Sequence, residues 1–413
     1  MKSIHLLVLG LVFGEFAFGE FNESSIKVNF AGQGRLRFEQ SDRTDYLSLR
    51  SAFLLRIRPE IKLSKDSGLS LFVQPQFVKA LGRPEFTGVS TSANSSQNTS
   101  GVAYDTALSV HQAFIEYPLF ESLRFTVGRQ LLSYGNEVVL SGLDWDNTGR
   151  SFDAIKARYS HDRGSLDLFY AKLFAASVTA TRIGAGDNDL VGLYLSNNLG
   201  EGLEAADFYF LYREDFTSGS KKHLFAIGIR AQSKVGDLDY RAEVTKEFGS
   251  SLSDSTLAQQ VDFEMGWTFT APFKSRLGFE LFHAGADYDQ LYPLAHKYLG
   301  IADVFGRRNL QGGVLHLNTS PTDEFSAQFD LHYLLRASTN APAYKLSGTS
   351  ALGTGANTSP HVGTELDLIL TYVIAKDLSA VLGGAVLFPG DYLKTEMGDL
   401  NPTFWYTQFI AQL

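Results

Sequence analysis

The stretch LSLRSAFLLRIRPEIKL, Leu47 to Leu63, decides the fold. Leu47, Leu49, Phe53, Leu55, Ile57, Ile61 and Leu63 fall on one side of an alternating pattern, and Ser48, Arg50, Arg56, Arg58, Glu60 and Lys62 fall on the other. A period of two is an extended strand with two faces. This one is too long for the edge of a small soluble sheet, and its polar face carries arginines that a dry core would reject. An apolar outside around a wet, charged inside is the pattern of a transmembrane β-barrel.

The same template recurs along the chain. Val28, Phe30, Leu36 and Phe38 alternate with Lys27, Asn29, Gln33, Arg35 and Arg37; Val261, Phe263, Met265, Trp267 and Phe269 oppose Gln260, Asp262, Glu264 and Thr268. Phe325, Ala327, Phe329, Leu331 and Tyr333 oppose Ser326, Gln328, Asp330 and His332. The segments total about 18 strands, an even number as in single-chain bacterial barrels. Tight connections near Ser64–Ser67, Pro118–Phe120, His161–Arg163, Ser233–Val235, Thr270–Lys274, Thr319–Asp323 and Ala375–Lys376 alternate with long ones. The long ones run Lys79–Thr106, Gln130–Arg150, Phe174–Asp187, Gly285–Asn309, Leu335–Val362 and Phe388–Pro402. Short periplasmic turns and long extracellular loops are therefore expected, with both termini on the periplasmic side.

At the start, Lys2, the apolar run Ile4 to Phe13, and Ala17 and Gly19 read as a removed secretory signal over 1–19, leaving 20–413 as a single barrel domain. No later stretch has the ~18 unbroken apolar residues of a membrane-spanning helix. The destination is the outer membrane of a Gram-negative bacterium, with outer-membrane lipid as the surrounding partner. The 413 residues include 38 Gly, 32 Phe and 18 Tyr but 11 Pro and no Cys, a strand-and-turn inventory with aromatics for interfacial girdles. Lack of cysteine excludes disulfides, c-type haem attachment and thiolate metal sites, and no cofactor is expected. The formal charge of −9 disfavours a nucleic-acid partner.

The run GRQLLSYGNEVVLSGLDWDNTGRSFDAIKARY, Gly128 to Tyr159, resembles the alginate export family of outer-membrane barrels. So do LYPLAHKYLGIADVFGRRNLQ, Leu291 to Gln311, and GTELDLILTYVIAKDLSAVLGGAVLFPGDYLK, Gly363 to Lys394. The resemblance implies an 18-stranded monomer with polar loops folded over or into the pore, exporting an anionic polysaccharide, with periplasmic secretion partners as further contacts. It also makes Asp144, Trp145, Arg150 and Asp153 loop-packing residues.

Transport of a polyuronate calls for fixed cations along the wall, and arginine pairs with carboxylates while staying charged in a narrow lumen. By alternation the inward cations are Lys27, Arg35, Arg37, Arg50, Arg56, Arg58 and Lys62 on the first two strands, then Arg124, Lys156, Arg158, Arg213, Arg230 and Arg241. Arg129 and Arg150, at the ends of the Gln130–Arg150 loop, join the expected path. Cations two residues apart stack at about 7 Å, a ladder along one wall. The later strands are acidic inside, through Glu243, Glu247, Asp262, Glu264, Glu280, Asp330, Glu365 and Asp367. Ion pairs within the wall are the competing use of every one of these charges.

Two channel functions follow: a passive conduit for an acidic polysaccharide, or a general or substrate-selective porin for small polar or anionic solutes. An outer-membrane hydrolase would need a nucleophile, a His and an acidic partner at one rim, and the His-containing strands show no such set at two-residue spacing, so no enzyme is expected. Asp144, Asp146, Thr148 and Gly149 resemble the opening of a calcium loop, but the glutamate expected at Ile155 is absent. His283, His296 and His316 lack a tight ligand spacing, and no metal is assigned.

Overall fold

The structure, a computed structural model, describes residues 26–41, 51–81, 108–174, 188–217, 220–271, 273–355, 357–399 and 401–413. The expected signal over 1–19, Arg50 and most of the 79–106 and 174–187 connections lie outside these residues.

The strands are β1 (Ile26–Ser41), β2 (Ser51–Lys65), β3 (Ser70–Leu81), β4 (Ser109–Phe120), β5 (Leu123–Gln130), β6 (Ser151–His161) and β7 (Gly164–Phe174). They continue through β8 (Asn188–Asn197), β9 (Ala205–Thr217), β10 (Ser220–Val235), β11 (Leu238–Phe248), β12 (Gln259–Thr268), β13 (Arg276–Ala284), β14 (Leu310–Thr319) and β15 (Phe325–Arg336). A small hairpin of β16 (Ala343–Tyr344) and β17 (Ala351–Leu352) precedes β18 (His361–Ala375), β19 (Leu378–Pro389), helix α1 (Asp391–Met397) and β20 (Thr403–Gln412).

All strands except the hairpin form one 18-stranded antiparallel sheet. Strand β1 pairs with β2 from Ile26↔Lys65 to Gln40↔Ser51. Its other edge pairs with β20 from Gln33↔Gln412 to Ser41↔Phe404, so the cylinder closes and no edge remains. None of the described helices is long and apolar enough to cross a membrane.

Burial is inverted relative to a soluble sandwich. Phe53, Ile57, Ile115, Val127, Leu168, Phe263, Phe279 and Leu281 are exposed on the outer wall, whereas Arg56 is 1% exposed, Asp262 0% and Glu280 1%. Exposed aromatics mark both rims, Tyr117, Tyr159, Trp267 and Tyr372 at the turn side and Phe53, Tyr333 and Trp405 at the other. The alternation along β2 is thus the sidedness of the wall.

Connections alternate as expected, with bounds that shift slightly. Strands β4 and β10 run on to Phe120 and Val235, which moves their turns to 121–122 and 236–237. A further turn, 198–204, joins β8 to β9, and on the long-loop side β9 ends at Thr217 and β10 begins at Ser220. The loops 131–150 and 285–309 do not project outward. They supply Leu132, Val138, Val139, Leu140, Tyr292, Leu299, Ile301, Ala302, Val304 and Phe305 to one buried cluster shared with the inner wall.

Candidate functional site

The basic face of β1 and β2 meets the loop 131–150. Arg35 donates to the carbonyls of Asp144 and Asp146, each at 2.9 Å, and Arg37 to that of Trp145 at 2.9 Å. Arg56 reaches the same two aspartate carbonyls at 3.0 and 3.2 Å, and Arg58 the carbonyl of Thr148 at 2.9 Å. The Asp144 carboxylate lies 3.0 Å from Arg56 and 2.5 Å from Arg58. Burial would lift that carboxyl, but Arg56, Arg58 and Arg35 outweigh it and hold it below the usual carboxylate range. Asp146 sits among weaker partners: burial first, then the nearby Asp303 carboxylate, pushes it up to about 6.

The expected ladder is corrected here. Arg35, Arg37, Arg56 and Arg58 point inward as the alternation requires, yet all four are buried under a loop and spend their donors on its backbone carbonyls. Isolated guanidiniums would be costly in that interior, and carbonyl dipoles together with the carboxylates of Asp144 and Glu39 offset the cost. Calcium-loop geometry is absent too, because the oxygens of Asp144 face guanidiniums.

The acidic face holds the second loop by the complementary rule. Glu365 accepts from the Ala302 amide at 2.8 Å, Asp367 from that of Ile301 at 3.1 Å, and Glu247 from that of Asp289 at 2.8 Å. Arg307, from the same loop, enters the wall network by pairing with Asp262 at 2.7 Å. Arg241 joins that network through Asp262, Glu264 at 2.7 Å and Glu280 at 2.6 Å. Arg213 forks onto Asp289 at 2.9 and 2.7 Å. The wall at β1 and β2 therefore grips one loop by its carbonyls, whereas β11 and β18 grip the other by its amides.

The loops also grip each other. Tyr292 donates its amide to Val139 at 3.0 Å, Leu294 to Glu137 at 2.9 Å, and Leu140 and Tyr292 form a parallel bridge. Trp145 donates to Asp303 at 3.0 Å and stacks on His296 with ring centroids 3.5 Å apart, while Arg150 donates to the Tyr292 carbonyl at 2.6 Å. A third wall is aromatic: Tyr134 of the loop stacks on Phe169 and Tyr194, and Tyr194 on Tyr209. Gly192 and Gly228 make this stack fit, since a Cβ at either would stand 2.0 Å from the ring of Phe169 or Tyr209 opposite it. Leu143 and Leu291, in the two loops, hold left-handed backbone at φ 51° and 53°, which branched residues adopt only when their contacts impose it.

The other expected path residues divide between two places. Arg230 pairs with Asp207 at 2.7 Å and bonds Asn136, and so anchors loop 131–150 as well. Glu243 accepts from Tyr209 at 2.8 Å, and Asp330 lies 2.7 Å from His316. Arg129 is a second correction. It belongs to the outward parity of β5, beside exposed Val127, and forks onto Asp153 at 2.8 and 3.0 Å on the outer wall. Lys27, Lys62, Arg124, Lys156 and Arg158 do face inward; Lys156 lies at the middle of β6 and the other four on the halves of β1, β2, β5 and β6 next to the short turns. Lys27 is 80% exposed beside Asp66, Arg124 54% beside Glu116, and Arg158 45% beside Asp167. Sequence reasoning missed Arg307 and Asp303, although both lie within the Leu291–Gln311 stretch quoted above.

A closed antiparallel cylinder with an apolar outer band, aromatic rims and loops folded inside is an outer-membrane channel. The chain matches the family model described as alginate export over residues 27–407 and belongs to that family. No curated protein matches it significantly. Among solved structures it is similar to OccAB1 of Acinetobacter baumannii, with a TM-score of 0.61 at 12% identity over 94% of this chain and 97% of that one. OccK5 (OpdH) of Pseudomonas aeruginosa gives 0.59 at 11% identity over 94% and 98%. OccK11 (OpdR) of the same organism gives 0.57 at 12% over 94% and 96%. These likenesses establish the fold.

Proposed function

We propose that the barrel is a non-catalytic, monomeric export conduit for an anionic, alginate-like polysaccharide, taken up at the periplasmic mouth and released past the two inserted loops. One observation carries the reading. Of the inward cations expected on β1, β2, β5 and β6, the exposed ones, Lys27, Lys62, Arg124 and Arg158, all lie toward the short-turn end, where a chain arriving from the periplasm would meet them first. Their partners Asp66 and Glu116 are single carboxylates that a polyuronate could displace from exposed pairs, which contribute only about 0–1 kcal/mol each. Family membership supports the same cargo. The buried arginines of β1 and β2 act one step later in this reading, holding loop 131–150 in a seat that it leaves when polymer passes.

The polarity of the walls, basic at β1 and β2 and acidic from β11 to β13, favours a second reading, a channel for small polar solutes oriented by the transverse field. Planar-bilayer conductance separates the two. Oligouronates added to the periplasmic side should block the current at concentrations at which neutral oligosaccharides of equal length do not. Equal block by both would leave the small-solute channel.

A further inference from the structure

We propose that Asp330, His332 and Asp367 bind a divalent transition-metal ion of the zinc class on the inner wall, beneath loop 285–309. Strands β15 and β18 place Asp330 directly opposite Asp367, with His332 beside them opposite Glu365. Two aspartates facing each other across a ladder repel. Both are nearly sealed from solvent, at 5% and 2% exposure, and no lysine or arginine pairs with either among the described residues. The flanking inward positions supply Val314 and His316 on one side and Ala385 and Leu387 on the other, so no lysine or arginine comes from there, and His316 reaches only Asp330 of the two aspartates.

Three ligand atoms, one from each residue, lie within 4.8 Å of one another. His332 is 2% exposed, and neither of its ring nitrogens makes a hydrogen bond; Oδ1 of Asp367 is likewise unpartnered. Nε2 of His332 stands 3.2 Å from Oδ2 of Asp367, close to the roughly 3.3 Å edge of a tetrahedron with zinc bonds of about 2.0–2.1 Å. The carboxylates are already oriented. His316 lies 2.7 Å from Oδ1 of Asp330, Gln328 donates to Oδ2 at 2.6 Å, and the Ile301 amide donates to Oδ2 of Asp367 at 3.1 Å. Each oxygen keeps a lone pair for a metal, and outer donors of this kind raise metal affinity.

The neighbouring cluster shows the contrast. Glu264, Glu280 and His316 also converge, but Arg241 and Arg276 already neutralise the two glutamates. An imidazole with two carboxylates in a dry wall suits zinc, leaving one position for water, whereas calcium would demand six or more oxygens. Because Asp367 also holds Ile301, a bound ion ties loop 285–309 to β18. The proposal does not depend on the cargo.

The site lies under a loop, so metal is offered during folding. The full-length barrel is unfolded in urea with a chelator and refolded into detergent with Zn²⁺ or Co²⁺, then freed of excess metal by gel filtration. One zinc per chain is expected by elemental analysis, and the Co²⁺ form should show the visible absorption of four-coordination. His332→Gln and Asp367→Asn, checked for folding by heat-shifted gel mobility, should each weaken binding by more than about tenfold. His283→Ala, on the outer wall, should bind as the parent does. Folded parent barrel without zinc, equal binding by His332→Gln, or displacement of Co²⁺ by equimolar Ca²⁺ would each overturn the proposal.

Discussion

The guanidinium of Arg37 lies over the indole of Trp145, 4.1 Å from the ring centroid, and donates to the carbonyl of the same residue. A single wall residue thus fixes both backbone and side chain of loop 131–150, and the indole passes the contact on to His296 of the other loop. Cation–π contacts of this desolvated kind contribute on the order of 1–2 kcal/mol, enough to hold a loop yet small enough to let it go.

Release of the first loop should follow loss of its arginine seat. Arg56→Gln with Arg58→Gln removes five charged hydrogen bonds to residues 144–148. Docking should weaken by on the order of 3 kcal/mol. Single-channel records should then show more frequent and longer high-conductance states, with the barrel still folded.

Acid should quieten the same loop. The Asp146 carboxyl rises from 3.8 to about 6 in the docked loop, so docking takes up a proton across that window. Docking therefore strengthens as pH falls from about 6 towards 4 and stays at its weaker level above 6. Asp144, held low, opposes this only at more acid pH, where it loses the charge that Arg56 and Arg58 bind. Opening events should become rarer between pH 7.5 and 5, and Asp146→Asn should remove that dependence.

Much of this was readable beforehand. Phe53 out and Arg56 in, and the count of eighteen strands, follow from a period of two that lipid enforces at every turn of the wall. The inward direction of Arg35 and Arg37 was equally plain, but their partners were not. Those partners are backbone carbonyls more than 100 residues away, and carbonyls carry no side-chain signature. Arg129 shows the opposite failing, since its outward parity beside Val127 was legible and a loop-end position was read in its place. Exposure of Lys27 and Arg158, against burial of Arg58, depends on where two loops end inside the cylinder, and alternation is silent on that.

Uptake should depend on the turn-side cations and not on the buried ladder. Neutralising Lys27, Lys62, Arg124 and Arg158 together should weaken oligouronate block about tenfold, because exposed charges contribute roughly 0.3 kcal/mol or more each. Neutralising Arg35 and Arg37 should alter opening statistics and leave the affinity for the blocker near that of the parent.

The aromatic wall tolerates no side chain beneath its rings. Gly228→Val places a Cβ where the Tyr209 ring lies and displaces the hydroxyl that donates to Glu243. Overpacking of this kind costs about 1–3 kcal/mol, to be read as a lower urea midpoint for unfolding. Ala231→Val, on the same strand, serves as the comparison.

The most direct measurement uses the chain's lack of native cysteine. Leu140→Cys and Tyr292→Cys, placed on the bridge between the loops, would lock one loop to the other when oxidised. High-conductance states and passage of oligouronate should disappear on oxidation and return with reductant. Unchanged conductance and passage in the fully cross-linked channel would contradict the claim that solute moves past these loops only when they part.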